Sequence, residues 1–159
     1  MKRLILVDAC NLIHRLPAFR DRLSEGMDVL AEQLLQQIRI LHDLEHWELH
    51  VIVDGRGEKM DQQFLEDTRT LSVIYSADGQ TADTIIETWL IRLGKGWEVK
   101  VASGDRAVAH SAIAHGADPM TADQLMDWSE RVQTRFSRGN QSSLRKSSSE
   151  FGNRLEGLS

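Results

Sequence analysis

Four short apolar runs recur along the chain, and each closes on a polar or acidic residue: RLILV (3–7) before Asp8, WELHVIVDG (47–55), LSVIYS (71–76) and WEVKVASGD (97–105). Runs this short and this rich in Val, Ile and Leu read as strands buried on both faces, because a helix needs a longer stretch with three-to-four spacing. Stretches with that spacing lie between them. In DVLAEQLLQQIRILHDL (28–44), Leu30, Leu34, Ile38 and Leu41 fall on one helical face. DGQTADTIIETWLIRLG opens with an Asp78-Gly79 turn and a Thr81 N-cap and stops at Gly94. RAVAHSAIAHG stops at Gly116, and TADQLMDW opens with a Thr-x-x-Gln capping box. Strands alternating with helices imply an α/β fold whose mostly parallel sheet is covered on both faces.

The 159 residues are 41% hydrophobic, enough for one sizeable core and so for one domain. No stretch approaches the ~18 apolar residues of a membrane span, and the run before Asp8 is too short for a secretory leader, so a cytoplasmic location is expected. The single cysteine, Cys10, excludes an internal disulfide framework and a Cys-only zinc site. The formal net charge of -5 is unevenly spread. Residues 131–159 hold 6 basic and 2 acidic groups, a net +4, and the other 130 residues hold 13 and 22, a net -9. From about Ser137 the composition turns to Ser, Arg and Gly with few apolar residues, which predicts a flexible basic tail over 131–159 behind a domain of residues 1–130. FGNRLEGL at the end is compatible with a short docked turn.

In an open parallel sheet, ligands bind outside the carboxyl ends of the strands. Here those positions are acidic: Asp8 ends the first strand, Asp54 the second, Asp105 follows the fourth, and Asp83 lies in the first turn of the helix after the third. Taken singly, Asp83 suits a helix N-terminus, Asp54-Gly55 is a common turn pair, and Asp105 could cap a helix. Asp8 is harder to dismiss, because a carboxylate that ends a buried strand needs a partner. At ~7 Å and an effective dielectric of ~20, each carboxylate pair repels by roughly 2 kcal/mol, so four converging acids call for protonation, screening or a cation. Oxygen-only donors point to Mg²⁺ or Mn²⁺.

LILVDACNLIH, VIVDG, VIYSADGQTADTIIE and VASGDRA, in this order, resemble the YacP-like branch of the NYN domains, relatives of the PIN nucleases. The resemblance covers about residues 3–128. It implies a PIN-like three-layer α/β/α sandwich and a metal-dependent endoribonuclease that leaves 5'-phosphate and 3'-hydroxyl ends. It also implies catalytic positions at Asp8, Asp54, Asp83 and Asp105, with Asp8, Asp83 and Asp105 as metal ligands, and makes Asn11 the amide of a D-x-x-N motif. Ala9-Cys10 stand where the family often has Gly-Tyr.

For RNA contact the candidates are Asn11, Arg56, Lys59, Ser103, Arg106 and the basic tail. The acidic body argues for RNA presented by a larger assembly, such as the ribosome, over tight binding of free RNA. Ser103 and Thr81 could position phosphate, although Thr81 also suits a cap; Glu87 lies one turn from Asp83. His42 and His46 have zinc-helix spacing, but Asp43 stands where the general-base Glu of H-E-x-x-H belongs. Cys10 has no histidine placed by sequence to activate it. A catalytically silent RNA- or ribosome-binding module is the alternative. A haloacid-dehalogenase-like phosphatase is disfavoured because its D-x-D motif would need Asp at position 10.

Overall fold

The computed structural model describes residues 2–156, with the side chains of Arg56 and of 141–156 outside that description. The elements in chain order are β1 (Lys2–Asp8), α1 (Ala9–Arg15), α2 (Pro17–Arg20), a 3-10 turn (Leu23–Glu25), α3 (Met27–Ile38), α4 (Ile40–Asp43), β2 (Glu48–Gly57), β3 (Asp61–Phe64), β4 (Leu71–Ala77), α5 (Ala82–Arg92), β5 (Trp97–Ala102), α6 (Arg106–Ala114), β6 (Asp118–Met120) and α7 (Ala122–Glu156). The six strands form one sheet in the order β3-β4-β2-β1-β5-β6. All neighbours run parallel except the edge strand β3, which pairs antiparallel with β4.

Alternation along the strands divides the core into two layers. Ile5, Val7, Leu49, Val51, Val53, Leu71 and Val73 pack with α1, α3 and α7 residues such as Leu12, Leu34, Leu35 and Leu125. Leu4, Leu6, Ile52, Ile74 and Val101 face the other way, onto Ile85, Ile86 and Leu90 of α5 and Val108 and Ala112 of α6. The result is the expected three-layer α/β/α sandwich with β1 at its centre. Covering both faces is why Leu4 to Val7 are all apolar and all fully buried.

Several local devices are those the sequence predicts. Thr81 Oγ1 caps α5 by accepting the Thr84 amide (3.2 Å), and Gly79 turns with φ +77°. Thr121 and Gln124 close a reciprocal capping box, side chain to amide in both directions, at 3.1 and 2.9 Å.

Other expectations need correction. The 28–44 helix is two helices, because the chain tightens at Arg39: the His42 amide reaches back three residues to the Arg39 carbonyl, while the Arg39 side chain is held by Asp43 and Glu66. The polar stretch after β2 contains β3, whose side chains are largely exposed and so leave no apolar alternation to read. β6 has only three residues and escapes notice for that reason. Asp54-Gly55 is not a turn, since β2 runs on to Gly57. Gly55 answers a packing demand: a Cβ there would lie 2.1 Å from the Ser76 carbonyl oxygen.

Where a flexible tail is predicted from Ser137, α7 continues to Glu156, so the 130/131 boundary falls inside one helix. Propagating an existing helix avoids the cost of nucleation and needs no apolar partner, and the segment contains no proline. The last two residues of FGNRLEGL, 157 and 158, lie outside the described residues. No described helix is long and apolar enough to cross a membrane.

Candidate active site

Chain order reverses across β1. β2 and β4 extend the sheet to one side and β5 and β6 to the other, so the crevice outside the carboxyl ends of β1 and β5 is the topological switch point. Asp8 ends β1 there, and Ser103, Gly104 and Asp105 form the turn between β5 and α6 beside it.

Asp8 is only 7% exposed. It also serves as N-cap of α1, accepting the Asn11 amide at 3.5 Å, while its other oxygen accepts Ser103 Oγ–H at 3.0 Å. Burial pushes its carboxyl above the usual range, the two hydrogen bonds oppose that shift, and the charges of Asp54 and Asp105 add to it. Ser103 Oγ in turn accepts the Asp105 amide at 3.1 Å. Asp105 caps α6, its Oδ1 accepting the Ala107 and Val108 amides at 2.8 and 3.3 Å. The capping role the sequence allowed for Asp105 is therefore present, and its charge still reaches Asp8.

Asp83 stands in the first turn of α5. Its Oδ1 is inaccessible to solvent and has no hydrogen-bond partner among the described residues. Burial raises this carboxyl, and the charges of Glu87 and Asp105 raise it further. Glu87 is itself exposed. Asp54 is exposed where β2 shifts register against β4, and its amide donates to Cys10 Sγ at 3.4 Å. The Cys10 thiol is pushed up to about 11, first by burial and then by the acids at 54 and 8. It is neither an anionic ligand nor a nucleophile at neutral pH.

The aspartates stand in a row of elements along the carboxyl edge of the sheet: Asp8 ends β1, Asp54 lies near the end of β2, Asp105 follows β5 and Asp83 opens α5. Asp54 and Asp105 both act on Asp8, and Asp105 acts on Asp83 together with Glu87. No three His, Cys, Asp or Glu side chains among the described residues are placed to hold an ion by themselves. A hydrated Mg²⁺ does not require three, since it keeps several waters and uses one or two carboxylates. All-oxygen donors, mutual repulsion and the orphaned Asp83 oxygen suit such a dication.

Of the other predicted contact residues, Lys59 is exposed in the turn between β2 and β3, and Arg106 is exposed at the start of α6. The Arg56 side chain lies outside the described residues. Asn11 ties two loops together, its Oδ1 accepting the Gly104 amide at 2.7 Å. The sequence reading missed Arg15, whose Nη2 donates to the Gly104 carbonyl at 3.1 Å. The one signal was its spacing, four residues beyond Asn11 on the same short helix. The histidines serve elsewhere. His42 bonds Asp43 and Thr70, and His50 is buried within the sheet between Ser72 and Glu48.

The family model for the YacP-like NYN domain matches residues 5–157. No curated protein matches the chain. A crystal structure of Rae1 (YacP) from Bacillus subtilis is similar with a TM-score of 0.73 and 21% identity, covering 98% of this chain and 90% of that one. The W164L mutant of the same protein gives a TM-score of 0.71 at 21% identity, covering 85% and 79%. At this identity the likeness to the solved structures speaks for the fold alone.

Proposed function

This chain belongs to the YacP-like NYN domain family, a ribonuclease-type fold, and on that premise we propose that it is a metal-dependent endoribonuclease working at the acidic row. The observation that carries the reading is the buried Asp83 oxygen, unpartnered among the described residues, in a row of carboxylates at the switch point whose charges raise Asp8 and Asp83. A lone buried carboxylate oxygen is costly in a folded protein, and a bound cation removes that cost.

Asp8, Asp83 and Asp105 are the residues that would hold Mg²⁺ or Mn²⁺. Such an ion polarises a phosphodiester oxygen and lowers the pKa of a bound water. The chain's own groups do the rest. Ser103 fixes Asp8, the α6 cap fixes Asp105, and Asn11 holds their two loops together. Asp54 is exposed and can orient an incoming water or the RNA, and the exposed Lys59 and Arg106 are the candidate phosphate contacts. With a body of net charge -9, affinity for free RNA is weak, which favours RNA presented by a larger assembly such as the ribosome. The absence of a three-ligand group among the described residues favours a second reading, an RNA-binding module of the same fold without catalysis.

Cleavage separates the two. Single-stranded or loop RNA incubated with the protein is cut internally in Mg²⁺ or Mn²⁺ and left intact in excess EDTA, and Asp8→Asn lowers the rate by more than about 100-fold. Undiminished cleavage in EDTA contradicts metal dependence, and binding without cleavage in any metal establishes the silent module.

A further inference from the structure

Asn11 and Arg15 lie one helical turn apart on α1 and close on the two backbone groups of one residue, Gly104. Asn11 takes the Gly104 amide, and Arg15 donates to the Gly104 carbonyl. Gly104 and Arg15 are in close contact: a Cβ at Gly104 would lie 2.4 Å from Arg15 Nε and 2.7 Å from its Cδ and Cζ, so a side chain there would push the guanidinium aside. The guanidinium is thus seated against the residue between Ser103 and Asp105, on the acidic edge itself. It is nonetheless exposed and forms no ion pair with a carboxylate among the described residues. Its single protein hydrogen bond leaves most of its five N–H donors for another acceptor.

A row of carboxylates repels a polyanion, and a fixed cation at its rim offsets that repulsion where the chain must pass. The guanidinium fork matches phosphate oxygens in a way a point charge does not. We infer that Arg15 is an RNA-binding residue of this edge, receiving a backbone phosphate next to the acidic row, with Gly104 kept free of a side chain to seat it. The inference rests on the RNA-directed reading above. If Arg15 serves only as a clamp, it shapes the β5–α6 turn and its charge is incidental.

The test is the affinity of the full chain for a single-stranded RNA oligonucleotide in EDTA, measured over a salt series. Arg15→Gln should weaken binding about tenfold and reduce the slope of log K against log salt by about 0.7, the counterions of one phosphate on a single strand. Arg15→Lys should keep the slope and lose less affinity. Gly104→Ala keeps the charge but displaces it, so it should also weaken binding and add little in the double variant with Arg15→Gln. Wild-type affinity in Gly104→Ala, or an unchanged salt slope in Arg15→Gln, overturns the assignment; if Arg15→Gln does not fold, Gly104→Ala and Arg15→Lys decide it. The two readings fail in different places. A protein that binds RNA but never cuts it loses the ribonuclease reading and keeps Arg15, whereas an unchanged salt slope in Arg15→Gln of a protein that does cut RNA loses Arg15 and keeps the ribonuclease reading.

Discussion

Ser103 Oγ donates to Asp8 and accepts the amide of Asp105, so one buried hydroxyl orients two acids from different strands. That support does not cancel the cost of burial, and the Asp8 carboxyl stays raised. Asp83 is raised without any such support. A carboxyl that holds its proton to higher pH when folded than when unfolded takes up a proton on folding within that window. Stability from these groups is therefore full below the ordinary carboxylate pKa and lost as pH rises through the raised one. In EDTA, Asp83→Asn should melt above wild type at pH 7.5, by about 2 to 4 °C for each kcal/mol of repulsion relieved, with the difference closing toward pH 4. Thermal melts across that range check it, and a variant less stable at every pH would show that Asp83 is paired in solution. The edge on which the four aspartates stand was legible in the sequence, because sheet geometry alone places a ligand crevice outside the carboxyl ends of the strands. Arg15 was not, because its partner lies 89 residues away and nothing local marks the contact.

Among the elements, the buried strands and the capped helices were legible and the edges were not. β1 announces itself by an unbroken apolar run, and α5 and α7 by their caps. β3 is held by pairing with β4 and leaves little trace in hydropathy. α7 shows the reverse: its distal half is poor in apolar residues, yet the backbone continues helical from a start anchored by Leu125 and Val132. Residues 137–159 carry Arg138, Arg145, Lys146 and Arg154, four of the six basic groups beyond 130. Deleting 137–159 should leave the melting temperature within a few degrees of wild type, because the buried part of α7 is retained. It should weaken RNA binding and flatten the salt slope by about 1 to 3, according to how many of those cations meet phosphates. An unchanged slope would make this segment a bystander.

The molecule as a whole joins an acidic body to a basic C-terminal segment, and its carboxyl edge concentrates like charge that raises Asp8 and Asp83. Residues from the ends of β1, β2 and β5 and from the start of α5 stand along that edge, so the carboxylates whose charges oppose one another are those a cation would tie together. The opposing signs give the most direct test. Thermal unfolding of wild type, Asp8→Asn and Asp83→Asn is measured at neutral pH, each in EDTA and in Mn²⁺. If the acids share a metal, both variants melt above wild type in EDTA and lose most or all of the further rise that Mn²⁺ gives the wild type, since a ligand stabilises only the state it binds. Variants that melt below wild type yet keep its full Mn²⁺ shift would mean that these aspartates are separate caps and strand ends with no common ion.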